Sequence, residues 1–189
     1  MPAHRRKRAA RSAGTPGAGT REALRAVCSR NFAVITLVNF LVMVVYYLIF
    51  VTITAYARAT FHLSLSLSGL SSGLLIIGCL AGRFFTGSLL PVLGLRPALF
   101  AGLGIFSASI GCFFLSDSAA GLFLQRFVCG TGVGIAGTVT GSLVAWVVPP
   151  EHRGFGVSVF SMSTALALAL GPFLGILLSG LMPYADRSV

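Results

Sequence analysis

From Phe32 onward the chain alternates long apolar runs with short polar breaks. The runs cover about 32–56, 68–90, 98–115, 120–148 and 155–181. Each is close to the roughly 20 residues that a helix needs to cross bilayer hydrocarbon. The breaks hold Arg58 and His62, then Pro91 to Pro97, then Ser116-Asp117-Ser118, then Pro149 to Gly154. Pro and Gly punctuate such breaks, so an inner turn is expected over Pro91–Pro97. Ser64, Ser66 and Ser68 lead into the second run. No strand pattern is present, and in lipid a helix satisfies its own backbone polar groups. The pattern predicts an all-α, polytopic membrane helix bundle of five spans.

Composition strengthens this. The chain is 56% hydrophobic and 10% charged, where a soluble domain carries about 25% charged residues. The five runs leave no room for a separate soluble domain. The formal charge of +10 is concentrated at one end. Arg5, Arg6, Lys7, Arg8, Arg11, Arg21, Arg25 and Arg30 are opposed there by Glu22 alone. No basic patch exists outside this tail, so nucleic acid is not an expected partner. Basic residues before a first span hold that end in the cytoplasm, and they attract anionic headgroups of the lipid bilayer. The run from Phe32 to Tyr56 is too long for a signal-peptide core of about 7–15 residues. The expected organisation is a disordered basic cytoplasmic tail over 1–30, a five-span bundle over 31–181 and a short polar tail over 182–189. The expected location is the plasma (bacterial inner) membrane, with the amino terminus inside and, after five spans, the carboxyl terminus outside.

Candidate chemistry is sparse. Cys28, Cys79, Cys112 and Cys129 form no C-x-x-C pair, which argues against a disulfide framework or a zinc site. His4, His62 and His152 lie at or beyond the ends of the runs, and Glu22, Asp117, Glu151 and Asp186 lie in tails or loops. A membrane-embedded enzyme would need paired carboxylates or metal ligands within the spans, so neither catalytic residues nor metal or other cofactors are expected.

Gly132, Gly134 and Gly137 spell G-x-G-x-x-G. A dinucleotide site needs a strand before this motif and an acid about 20 residues beyond it. Here the glycines lie midway along the apolar stretch from Gly121 to Val148, so the nucleotide reading fails. Gly130 and Gly134 are four apart, as are Gly137 and Gly141. Small residues at that spacing let a second helix approach closely.

Arg126 is not explained by packing alone. A charge at the centre of a membrane helix costs about 2.5–3.5 kcal/mol, less near an interface. It either snorkels outward or pairs with Asp117, or it faces a water-filled cavity and contacts solute. Asn39, Met43, Tyr46, Tyr47 and Phe50 fall on one face of the first span. Tyr46 lies about 14 residues, roughly 21 Å, along it, too deep for an interfacial belt. This stripe either lines a cavity or packs helices together through hydrogen bonds. Gly171-Pro172 is expected to kink the fifth span and to allow close packing.

These residues carry a resemblance. Arg126-Phe-Val-Cys-Gly130-Thr-Gly132-Val-Gly134 with Pro149 to Gly154 resembles the fourth span and following loop of the major facilitator superfamily. Gly82-Arg83-Phe-Phe-Thr-Gly87, continuing through Pro91 and Gly94 to Arg96, resembles that family's signature between spans 2 and 3. Asn39-Phe40 sits where many members carry the same pair, and Ala167 to Ile176 resembles the span-5 signature of antiporters. The resemblance covers residues 31–181. Pro91 and Val92 stand where the family has an acid and then a base, and Ala167 and Ile176 stand at glycine positions.

The resemblance implies a secondary transporter of a small solute, working by alternating access and possessing an MFS-like amino-terminal half without its sixth span. It implies Asn39, Tyr46, Tyr47 and Arg126 at the cavity. It implies Gly82, Arg83, Gly87, Gly94, Arg96, Gly130, Gly134, Arg153, Gly171 and Pro172 in packing or conformational motifs. Proton-coupled efflux, uptake by a permease, and a non-transporting fragment or regulatory subunit are the alternatives within that reading. The face bearing Asn39 and Arg126 is expected to need cover from a second bundle or from another copy of the chain.

Overall fold

The computed structural model describes residues 29–61, 64–112 and 118–181. Five long helices follow one another: α1 (Arg30–Phe61), α2 (Leu65–Leu93), α3 (Leu95–Cys112), α4 (Ala119–Val147) and α5 (Arg153–Leu181). A short 3-10 turn, Pro150–His152, precedes α5. All five helices are long and apolar enough to span a membrane. The protein is therefore an all-α membrane bundle. Asp117, His62, the basic tail before residue 29 and the polar tail 182–189 lie outside the described residues.

Serine side chains open three of the helices. Ser29 Oγ accepts from the Phe32 N–H at 3.3 Å. Ser64 does the same for Leu67 at 3.3 Å, and Ser118 for Gly121 at 3.1 Å. Each satisfies a backbone donor that has no partner within the helix.

Two sequence expectations change. The inner turn is not a seven-residue loop. Helix α2 continues through Pro91 to Leu93, and Gly94 alone links it to α3 at φ 80°. Pro91 is tolerated because it falls in the last turn, and Pro97 because it falls in the first turn of α3. A single glycine makes the reversal because only it enters the left-handed region without a Cβ clash. Secondly, Arg58 belongs to the last turns of α1, which extends to Phe61, rather than to an outer turn. Helix α5 runs from Arg153 to Leu181 with Pro172 inside it. Membrane helices accept an internal proline when neighbours re-satisfy the freed carbonyl.

Helix α4 is the axis of the bundle. Over half of its spanning window, 56%, is buried, against 11% to 28% for the other four. It touches each of the other helices, while α5 docks chiefly on α1. The glycines explain how one helix holds so many neighbours. Gly130 and Gly134 abut the α2 backbone at Leu75 and Cys79, and Gly78 and Gly82 of α2 abut the α4 backbone at Phe127 and Thr131. The two i, i+4 pairs interlock, and a Cβ at any of them would overlap a carbonyl oxygen. Gly132 turns to α3 instead, where an added Cβ would lie 2.6 Å from the Phe106 nitrogen. Gly137 turns to α1, 3.2 Å from the Met43 methyl by the same measure. The three glycines of the G-x-G-x-x-G thus face α3, α2 and α1 in turn.

Apolar side chains fill the space the glycines leave. Val42, Leu75, Phe106, Cys129 and Val133 form one buried cluster drawn from α1 to α4. Phe32, Val144 and Val148 form a second near the other end of the bundle.

Candidate solute-binding site

Asn39 is 2% exposed and joins three helices. Its amide nitrogen donates to Thr164 Oγ1 of α5 at 3.1 Å. Its carbonyl oxygen accepts from Thr140 Oγ1 of α4 at 3.0 Å. The amide is thereby engaged in holding helices together.

Further along the same stripe the side chains diverge. Tyr46 packs against the central apolar cluster with Phe50. Its ring meets Tyr47 edge-on at 5.1 Å and lies 6.4 Å from Phe50. Tyr47 faces the other way. Its Cβ fills the space over Gly171, so the Gly-Pro pair of α5 lets that helix approach α1 closely. Tyr46 and Tyr47 are half-buried rather than sealed.

Arg126 is the largest fully buried side chain, 1% exposed, two turns into α4. Its Nη2 donates to the Ile49 backbone oxygen of α1 at 3.2 Å. Nε and Nη1 are buried without a hydrogen-bond partner. Tyr46 and Cys129 lie within electrostatic reach of the guanidinium. No carboxylate occurs in any of the five helices, and Glu151 is the sole acid among the described residues, lying in the 3-10 turn. A guanidinium has five N–H donors in a fixed fork and no ability to lose its charge. One bond to a carbonyl leaves most of that fork unused, and an unpaired buried donor costs about 1–3 kcal/mol, more when charged. The site therefore holds a buried cation, tied to α1 by one bond, with hydrogen-bonding capacity to spare.

Asn39 and Arg126 are both covered within the chain itself. The expectation that their shared face opens outward is corrected. The threonines of α4 and α5 cover Asn39, and α1 covers Arg126. The remaining motif residues occupy other places. Arg83, Arg96 and Arg153 are exposed. Gly87 has open space around its Cα, and Gly94 serves the link between α2 and α3.

Sequence reasoning did not single out Thr140, Thr164, Ser109 or Gln125. Ser109 Oγ donates to the Gln125 backbone oxygen at 3.0 Å, and Gln125 Nε2 donates to the Ser109 backbone oxygen at 3.1 Å, a reciprocal clasp between α3 and α4. Thr140 carried no distinguishing signal, because threonines also bond back to their own helix, as Thr131 and Thr138 do. Gln125 was detectable as an amide deep in an apolar run, beside the more conspicuous Arg126.

Five membrane-crossing helices packed on glycine, with a buried cation at their centre, define a polytopic membrane protein with a polar interior. Residues 35–184 match the family model described as Major Facilitator Superfamily, and the chain belongs to that family. It is a family of transporters rather than enzymes. The chain is 30% identical over 115 residues to the MFS-type transporter traF of Penicillium crustosum, covering 61% of this chain and 24% of that protein. It is 30% identical over 128 residues to the multidrug transporter TPO3 of Candida glabrata, covering 67% and 20%. It is 28% identical over 127 residues to the glucose facilitated diffusion protein of Zymomonas mobilis, covering 63% and 26%. The chain thus spans about a quarter or less of the length of these relatives. No solved structure is a significant match.

Proposed function

We propose that this bundle forms one side of a secondary transporter for a small solute, and that Arg126 is the solute contact. The observation that carries this reading is the pair of unpartnered donors, Nε and Nη1, on a buried guanidinium. Intramembrane charges are uncommon, and they mark solute or ion pathways by default. Family membership supports transport as the activity.

The chemistry narrows the solute. A permanent cation with spare N–H groups suits a carboxylate, a phosphate or the hydroxyls of a sugar. It opposes a polycation, so the polyamine named for one relative from Saccharomyces cerevisiae fits this site poorly. A sugar, as in the name of the Zymomonas relative, or an organic anion fits it better. The helices contain no acid to carry a proton. In this reading a coupling proton binds on another part of the working assembly, or the solute moves down its own gradient. A facing bundle, or a second copy of the chain, completes the alternating-access unit, since such transporters rock two bundles about a site between them. The assembly sits in the plasma (bacterial inner) membrane with its basic tail in the cytoplasm. Efflux and uptake fit this geometry equally.

The test is ligand stabilisation. Purified chain is heated with a panel of sugars, sugar phosphates, organic anions and polyamines. A solute bound only by the folded state raises the melting temperature through mass action. At least one acceptor-rich solute should stabilise the native chain and fail to stabilise Arg126→Gln. Equal stabilisation of both proteins by every binder, or preference for polyamines, would defeat the assignment.

A further inference from the structure

Trp146 is the only tryptophan of the chain. It stands in the last turn of α4 and is 75% exposed. Arg96 stands in the first turn of α3. Between them lies a groove of about 350 Å³, lined by Leu95, Arg96, Pro97, Leu143 and Trp146. The volume lies in the range of about 300–1,000 Å³ usual for small-molecule sites. Helix α3 begins and α4 ends here, so the groove sits where both spans leave hydrocarbon. Tryptophan and arginine suit that depth, since each has an apolar body and a polar tip.

Leu95, Pro97, Leu143 and Trp146 give the groove apolar walls, and Arg96 gives it a charge. The Arg96 side chain is exposed, so an incoming group can reach it. No acidic side chain lines the groove. Glu151, the sole acid among the described residues, lies in the 3-10 turn instead. Arg30 opens α1 at the same end, where Phe32 packs against Val144 and Val148, and Arg153 opens α5. This end is therefore net positive among the described residues. A fixed cation beside apolar walls, with no countercharge, is complementary to a molecule anionic at one end and apolar at the other.

We propose that this groove binds an anionic phospholipid, whose phosphate lies on the Arg96 guanidinium while its upper acyl chain runs along Leu143 and Trp146. The planar fork of a guanidinium matches phosphate oxygens. The bilayer is the source, since the exposed Trp146 and Arg96 open the groove outward at headgroup depth. A zwitterionic lipid carries its own cation and leaves the charge of Arg96 unbalanced, so a net negative headgroup is preferred. The site is independent of Arg126 and of solute transport.

Trp146 provides the readout, because no other tryptophan contributes to the fluorescence. The full chain is reconstituted in phosphatidylcholine vesicles, and its emission is quenched by phospholipids brominated in the upper acyl chain. Brominated phosphatidylglycerol is compared with brominated phosphatidylcholine at equal mole fraction. Phosphatidylglycerol should occupy the site about 5-fold more strongly, the preference that one basic side chain at an anionic surface supplies. Arg96→Gln should abolish the preference. Arg30→Gln removes the same charge from the same end, outside the groove, and should leave it unchanged. In the native chain, raising salt from about 0.05 M to about 0.5 M should shrink the preference by screening the exposed pair, and this measurement serves if the Arg96 variant fails to fold. Soluble glycerol phosphate should not relieve the quenching, since it has no acyl chain. Equal quenching by both lipids, a preference that survives Arg96→Gln or high salt, an equal loss in Arg30→Gln, or displacement by glycerol phosphate would overturn the proposal.

Discussion

Gly130 of α4 lies directly against the Leu75 backbone oxygen of α2, with no room for a side chain between them. The contact is one of four in which the α2 and α4 glycines interlock. Hydrocarbon gives helices no hydrophobic reason to associate, so close van der Waals packing has to hold them.

Gly130→Ala should therefore destabilise the bundle by about 1–3 kcal/mol, the usual cost of overpacking. Gly141→Ala is the control. No atom lies within 4 Å of a Cβ there, and alanine is the better helix former by about 1 kcal/mol. Reversible unfolding in mixed detergent micelles separates the two. Gly130→Ala should unfold at lower denaturant, and Gly141→Ala should match or exceed the native protein. Equal behaviour would mean that the helices do not meet where the glycines are.

The Asn39 network predicts coupling between α1 and α5. Asn39→Ala and Thr164→Ala each remove the same hydrogen bond, so their effects should not add. Hydrogen bonds between membrane helices are worth about 0.6 kcal/mol on average and up to about 1.7. A double-mutant cycle should give a coupling energy within that range. Strict additivity would show that the bond does not form in the bilayer.

Topology is tested with alkaline phosphatase, active only outside the cytoplasm, fused after Val189. The basic tail and five spans predict an active fusion. An inactive, well-expressed fusion would change the span count by one.

Transport by the chain alone is expected to be absent, because alternating access needs two bundles about one site. Proteoliposomes containing the purified chain should show no saturable flux of sugars, organic anions or dyes under a proton gradient. Flux that Arg126→Ala abolishes would instead show that copies of the chain form a working oligomer.

The helices were legible because hydropathy alone reports them. Runs of apolar residues as long as a bilayer is thick admit few other structures. The Pro91–Pro97 turn was misjudged because proline and glycine signal breaks in water, whereas here the helix ends tolerate Pro91 and Pro97, and Gly94 makes the turn alone. The small-residue spacing at Gly130 and Gly134 marked a packing strip but not its partner, since a glycine pattern carries no address. Arg126 stood out as a charge in hydrocarbon. Asn39 stood out as polar, yet sequence could not decide between cavity and packing. That choice depended on Thr140 and Thr164, which lie 101 and 125 residues away.

Arg126 is sealed by α1 in this structure, so its role as a solute contact requires that alternating access open a path from water to the guanidinium. The direct measurement is thiol labelling of Arg126→Cys in a chain whose four native cysteines are replaced. Native membranes are treated with a charged, water-soluble methanethiosulfonate reagent or with a lipid-phase maleimide. A solute path to this position predicts modification by the water-soluble reagent. Labelling by the lipid-phase probe alone would contradict it and leave Arg126 as a structural charge within the bundle.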